Sequence, residues 1–307
     1  MPSSLIVYRN WLQEFGRVEA YTAAMFFAGA PASNMLTDRP GQVAIVDESV
    51  TSDLELRFLI GAGENGSSSE RIGRPVDVVA IINTNFIAQD SGDTATLVAY
   101  DDAGNSITVP GVFLNTVTDG QVQNNLFWFM SDGTGSANIA DISRISIQFT
   151  GGRFGRKDRW TGAITDEAPQ FGTVIAGPKF APAKGIRLVG YAPGITDLSR
   201  VVRSIGGTAW TSPQTRLRRA SFDLPLLTET EVEASPPSCG LRQLAEFCGL
   251  SRPLLVIPQS TDEQARNTQA IYGLLTEDVT WSAVDKVDES GSQVIGYTSR
   301  LSILEAK

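Results

Sequence analysis

Acid–base chemistry needs side chains that exchange protons near neutrality, and the 307 residues of this chain include no histidine. Imidazole titrates most readily in that range and is the commonest transition-metal ligand. Its absence excludes Ser-His-Asp and Cys-His nucleophilic catalysis together with the usual zinc sites. Carboxylate pairs could still supply an acid and a base, as in glycoside hydrolysis. The sequence offers Asp47-Glu48, Asp101-Asp102 and Asp166-Glu167. Neighbours on a strand point to opposite faces, so such pairs rarely converge on one substrate, and solvated loop charges are the expectation. Cys239 and Cys248 stand nine positions apart, unlike the C-x-x-C spacing of zinc and redox sites, and are expected as buried free thiols. No catalytic, cofactor-binding or metal-binding residue is assigned, and the chain is expected not to be an enzyme.

Binding features are weighed the same way. Asp101-Asp-Ala-Gly-Asn105 gathers oxygens and a glycine in one turn, but lacks the alternating acidic positions and downstream Glu of an EF-hand. Gly151-Gly-Arg-Phe-Gly155 lacks the Gly-Lys-Ser/Thr ending of a phosphate loop and reads as a flexible surface turn. Trp128 between Phe127 and Phe129 could stack on a sugar, although strand alternation makes at least one of its faces core. Trp160 follows Arg153, Arg156, Lys157, Asp158 and Arg159. A charged loop seldom enters a core, so Trp160 is the preferred ligand or partner residue, with Trp128 and Asn34 as further candidates. Arg216 and Arg218 fall on one face of an expected strand, where they repel unless carboxylates face them. The alternating Glu229, Glu231 and Glu233 could do so from a neighbouring subunit, making Arg216, Arg218, Glu229 and Glu231 candidate interface residues.

The bulk properties frame these candidates. The length suggests two domains. A hydrophobic content of 42% against 19% charged, with 29 Gly and 15 Pro, suits a turn-rich β protein. The net charge of −9 and the lack of extended Lys/Arg clusters argue against duplex binding. Met-Pro-Ser-Ser lacks the basic start of a signal peptide, and no apolar run reaches the ~18 residues of a membrane span. Synthesis in a cytoplasm is the expectation.

The elements needed to position the candidates are mostly strands. Period-two alternation or β-branched runs mark Leu5–Tyr8, Asp53–Phe58, Arg74–Asn83, Ala95–Tyr100, Ser106–Val109, Asn125–Met130, Arg144–Phe149 and Gly172–Pro178. Ala20–Phe27 is ambiguous between a buried strand and a short helix. Short strands separated by turns suggest a β-sandwich over residues 1–195. Turn formers at Tyr191-Ala-Pro-Gly-Ile-Thr-Asp197 suggest a boundary. In residues 196–307, Ser204–Trp210 and Arg216–Leu226 are expected to pair. Leu241, Leu244, Ala245, Phe247 and Cys248 recur at helical spacing, with Gly249 placed as the cap. Pro253-Leu-Leu-Val-Ile-Pro258 reads as a strand terminus or sheet edge. Gln269–Leu275, Val279–Ser282 and Ile295–Ile303 close the domain.

Two parts of the chain resemble a known family. Pro31-Ala-Ser-Asn-Met-Leu-Thr-Asp-Arg-Pro-Gly41, Leu54–Phe58 and Val76-Asp-Val-Val-Ala-Ile-Ile-Asn-Thr-Asn85 resemble a galactose-binding-like jelly roll of phage tail proteins. Gly172–Pro182, Asp197-Leu-Ser199, Gly206-Gly207, Arg216-Leu-Arg-Arg219 and the ending from Arg266 to Glu305 resemble a tail-tip family, the distal tail proteins. The resemblance implies a mainly β fold: an N-terminal jelly-roll-like β-sandwich and a smaller C-terminal β-sandwich with one helix near 241–249, like a tail-tube domain. It implies a virion component at the distal tail or baseplate of a long-tailed bacteriophage. Members form rings, hexameric by expectation, between tail tube and tip, so the implied partners are further copies, tube, hub and fibre proteins. The resemblance transfers no binding residues and no cofactor. Two other readings stand beside it: a carbohydrate-binding tail module recognising host-surface glycans through the loops near Asn34, Trp128 or Trp160, and a carboxylate-based tail hydrolase.

Overall fold

The structure, a computed structural model, describes residues 4–47, 54–61, 73–87, 94–118, 121–135, 141–151, 153–157, 163–186, 194–197, 200–203, 209–212, 216–234, 239–258, 270–287 and 293–306. The fold is mainly β with curled, sandwich-like sheets. The chain divides into two compact units: one comprises the described residues of Val7–Lys179, the other those of Met1–Ile6, Phe180–Gln259 and Ala270–Lys307. The division thus falls at Lys179/Phe180, upstream of the turn formers near 195, and the first residues of the chain join the C-terminal unit.

The first unit is a sandwich of two antiparallel sheets. One runs Ala44–Ile45, Gln170–Phe171, Val78–Thr84, Gln121–Phe129, Val112–Thr118, with Val174–Gly177 also pairing with Val78–Thr84. The other runs Thr134–Gly135, Ser106–Pro110, Thr94–Tyr100, Arg144–Thr150, Glu55–Leu59, Arg17–Val18. Their inward residues form one core, in which Val79, Ile81, Leu126 and Trp128 meet Leu56, Phe58, Leu97, Ile145 and Ile147. Burial of each such side chain contributes about 1.5–3 kcal/mol. The ambiguous stretch at Ala20 resolves as a short helix, Ala20–Ala23.

The polar loop and the later strand quoted for the jelly-roll resemblance do meet. At the end of Val78–Thr84 the ladder shifts register opposite Asn124–Leu126, and Asn83 takes φ 65°. Asparagine tolerates this left-handed conformation better than most residues. The Asn83 N–H donates to Asn125 Oδ1 at 2.9 Å, and its Nδ2 donates to Pro40 O at 2.8 Å. One strained asparagine thereby ties the 31–41 loop to the sandwich.

The second unit is built on one curled seven-stranded sheet. Its order is Leu5–Val7, Leu254–Ile257, Ile271–Leu275, Gln293–Glu305, Arg216–Leu227, Gly194–Asp197, with Trp281–Val287 also paired to Gln293–Glu305. The expected helix spans Leu241–Cys248, buries Leu241, Leu244 and Cys248, and ends at Gly249 with φ 48°. One expected pairing is corrected. Ala209–Ser212 pairs with Arg200–Arg203, not with Arg216–Leu227; the latter instead matches the alternation of Gln293–Glu305, so the two bury a shared apolar face. Of the two placements expected for Pro253 and Pro258, the strand terminus is the one found: they flank Leu254–Ile257, which is not an edge because Leu5–Val7 covers its other side. The acidic stretch 229–233 is mostly helical, because Thr228 and Glu231 close a capping box that starts the helix Glu229–Val232. Residues 204–208, where a strand was expected to begin, lie outside the described residues.

Candidate functional site

Strand register decides what the C-terminal sheet presents. Arg216–Leu227 and Gln293–Glu305 pair Ser221 with Ser302, Phe222 with Leu301, Asp223 with Arg300 and Leu224 with Ser299. Side chains alternate across a sheet, so Phe222, Leu224, Leu301 and Ile303 share one face and are fully or almost fully buried. The opposite face carries Ser221, Asp223, Arg300 and Ser302. There, the Ser221 and Ser302 hydroxyls lie 3.1 Å apart and the Ser302 hydroxyl donates to Glu277. Arg300 Nε and Asp223 Oδ1 are 3.9 Å apart. Between Ser221 and Asp223 this second face is polar.

The edges of the sheet differ from its middle. Gly194–Asp197 pairs only with Arg216–Leu227, and Trp281–Val287 only with Gln293–Glu305, among the described residues. Ile195 on the first edge is 73% exposed; Val284 on the second is 38% exposed, and Ile295 on its partner strand 58%. Such unpaired strands carrying exposed β-branched residues are templates for pairing with another chain, which monomers usually blunt with charge or proline.

The structure places the candidate residues as follows. Trp128 is fully buried and donates from Nε1 to Ala95 O at 2.9 Å, and Phe127 and Phe129 are buried as well. The surface role considered for Trp128 is therefore corrected, because both faces of its strand are core. Asn34 is half-buried in a 3-10 turn, Ala32–Leu36, and donates from Nδ2 to Val43 O at 3.0 Å, which holds its own loop. Trp160 lies outside the described residues, as do Asp158 and Arg159. The strand holding Arg153 was expected as a flexible turn; instead Arg153–Lys157 pairs with Ile164–Asp166 and Phe86–Ile87. The reason is Phe154, which packs edge-on against Phe86, Phe149 and Phe171.

Two of the charged candidates, Arg218 and Glu231, find partners within the chain. Arg218 donates from Nε to Glu305 Oε1 at 2.7 Å, and its backbone N–H donates to Glu305 Oε2 at 3.0 Å. The carboxylate that strand pairing demanded is thus supplied internally. Glu231 accepts from the backbone N–H of Thr228 at 2.8 Å and of Ala183 at 2.6 Å. Glu229 is exposed in the first turn of its helix, and Arg216 lies opposite Asp197 in the backbone ladder. The four residues do not form the inter-strand charge ladder that alternation suggested, since two of them are helical.

Of the carboxylate pairs, Asp101, Asp102 and Asp166 make hydrogen bonds within the first unit. Arg153 binds Asp166 through two hydrogen bonds, one of them 2.7 Å, and holds its carboxyl below the usual range. Asp101 accepts from Asn105 Nδ2 at 2.7 Å and from the Asn105 N–H at 2.8 Å, which also keeps its carboxyl low. Asp102 accepts from the Gly73 N–H at 3.0 Å. Asp47 is half-buried, and Glu48 lies outside the described residues. Among the described residues no three His, Cys, Asp or Glu side chains gather to hold a metal ion, and no helix is long and apolar enough to cross a membrane. Cys239 and Cys248 are not joined in a disulfide. Burial pushes the Cys248 thiol up to about 12, whereas Cys239 is only half-buried, a correction to the expectation that both are buried.

Sequence reasoning missed the register that sets Asp223 against Arg300 and the two open edges. The alternation of Arg300 and Ser302 with Leu301 and Ile303 was a readable signal; which strand would face it was not. Comparison of the chain with protein-family models, with curated proteins and with solved structures finds no match in any of the three.

Proposed function

We propose that the chain is a structural component of a long-tailed bacteriophage virion, at the distal tail or baseplate, assembled as a homo-oligomeric, hexameric ring that meets tube, hub and fibre proteins. The observation that carries this reading is the pair of unlike edges on the C-terminal sheet, one bearing Ile195 and the other Val284 and Ile295. Pairing of one edge with the other is heterologous, and a heterologous contact that closes makes a ring, whereas pairing of like edges makes only a two-fold dimer. The resemblance of the quoted segments to distal tail proteins supports the same reading. A net charge of −9 also suits a wall past which DNA travels.

The test is the mass of the full-length chain by light scattering after size exclusion, with negative-stain images. The expected result is a hexamer-sized ring that Ile195→Lys dissociates into folded smaller species. A monomer at all concentrations, or a two-fold dimer, overturns the proposal.

A further inference from the structure

The polar face of the C-terminal sheet is interrupted by a built cleft. Leu224 pairs with Ser299 and Leu227 with Tyr297, so Pro225 and Leu226 together oppose the single residue Thr298. Leu226 takes φ 51°, a left-handed conformation costly for a branched side chain. Proline fits a bulge because it has no N–H to give to a ladder. Bulges next to functional sites re-aim side chains, and backbone strain clusters at ligand sites.

Around this bulge Asp223, Pro225, Thr280, Ser282, Thr298 and Arg300 line a cleft of about 380 Å³, within the size range of small-molecule sites. Its lining is mostly polar and holds no aromatic ring. Ser299 at its base is fixed by donating to Thr280 O at 2.7 Å.

The key pair is left open. Asp223 and Arg300 stand opposite each other in register, yet their closest nitrogen and oxygen are 3.9 Å apart, beyond hydrogen-bonding distance. Both side chains are solvent-accessible, at 36% and 60%. A hydroxyl inserted between them can donate to the carboxylate and accept from the guanidinium at once. Both of those hydrogen bonds are charge-assisted and each polarises the other. Neighbouring Ser282 and Thr298 hydroxyls can serve adjacent hydroxyls of the same ligand, since each both donates and accepts.

We propose that this cleft is a binding site for a neutral saccharide, one sugar hydroxyl bridging Asp223 and Arg300 and its neighbours meeting Ser282 and Thr298. The site lies wholly in the C-terminal unit and does not depend on ring assembly. It also differs from the loops in which glycan contacts were first expected, where Trp128 and Asn34 are committed to the scaffold.

The experiment titrates the full-length protein with lactose, maltose and cellobiose, followed by calorimetry and saturation-transfer NMR. At least one disaccharide binds saturably, and Asp223→Asn and Arg300→Gln each weaken it about tenfold. Both variants keep the thermal transition of the wild type, since neither side chain is buried. Arg300→Lys restores binding only in part, because it keeps the charge but loses the planar fork. Absence of binding by all three sugars, or binding indifferent to both variants, overturns the proposal. So does a change in oligomeric mass on Arg300→Gln without sugar binding, which would make the cleft a subunit contact.

Discussion

The middle of the strand Gln121–Phe129 and the middle of Arg216–Leu227 follow opposite rules. In the first, consecutive residues Phe127, Trp128 and Phe129 are all buried, so both faces of the strand are covered by protein. In the second, Phe222 and Leu224 are fully buried while Asp223 between them is half-exposed. In the sandwich unit the sheet holding Gln121–Phe129 is covered on both faces at its centre, while the facing sheet alternates buried and more exposed residues, as along Thr94–Tyr100. Around Asp223 and Arg300 the sheet of the C-terminal unit buries one face and carries polar residues and a cleft on the other, with Gly194–Asp197 and Trp281–Val287 each paired on one side only among the described residues. Burial on both faces is what a scaffold needs; a polar face with unpaired edges is where other molecules can be met.

The sharpest way to break this contrast is to truncate neighbours along each strand. Trp128→Ala should cost about 3–5 kcal/mol, since it opens a cavity and leaves the Ala95 carbonyl without its donor. Phe127→Ala should fall in the same range. In the other strand only alternate positions should respond: Phe222→Ala about 3–5 kcal/mol, Asp223→Ala within about 0.5 kcal/mol. Urea denaturation of the four variants measures this. An Asp223 loss as large as that of Phe222 would mean the polar face is part of the core, and the contrast would fail.

A smaller effect should separate the units by location. Ser4 is almost fully buried; its hydroxyl donates to Pro258 O and accepts from the Ile186 N–H at 3.0 Å. Ser4→Ala removes both bonds and leaves buried groups unpaired, costing about 1–3 kcal/mol. Because Ser4 belongs to the C-terminal unit, hydrogen exchange should quicken in Leu254–Ile257 and stay unchanged in Thr94–Tyr100. Equal loss of protection in both strands would show the two units unfolding as one.

The parts of this architecture that local pattern encodes were legible in the sequence. Period-two alternation marked Thr94–Tyr100 and Arg144–Thr150, and 3.6-residue spacing with Gly249 marked the helix Leu241–Cys248. Capping chemistry was also present: Thr228-Glu229-Thr230-Glu231 is an S/T-x-x-E signature that identifies a helix start, and reading only its charge alternation hid it. Other features were illegible because they depend on residues far away in sequence. The charge of Arg153–Lys157 suggested a loop, and only the aromatic cluster around Phe154 explains the strand. The pairing of Leu5–Val7 with Leu254–Ile257, and of Asp223 with Arg300, is set by register across long separations. Function was the least legible, since a cleft built at a bulge needs that register to exist.

The smallest expected effect tests whether the sandwich unit holds charge as part of its structure. Glu55 lies on Glu55–Leu59 with its side chain 19% exposed; Arg57 Nη2 donates to it at 2.6 Å, and the Ser146 hydroxyl donates to its other oxygen. The Arg57 hydrogen bond holds the Glu55 carboxyl below its ordinary value, with burial opposing and Ser146 reinforcing the shift. A depressed folded-state value stabilises the fold above the unfolded-state value and loses that stabilisation as pH falls through the folded one. Glu55→Gln should therefore be less stable than wild type at neutral pH by less than about 1 kcal/mol, given the partial exposure of the pair. The gap should close as pH drops below the ordinary glutamate value of about 4.3. Thermal melts of both proteins across that range measure it. A gap independent of pH would assign the loss to packing of the side chain, leaving the sandwich held by its apolar faces alone.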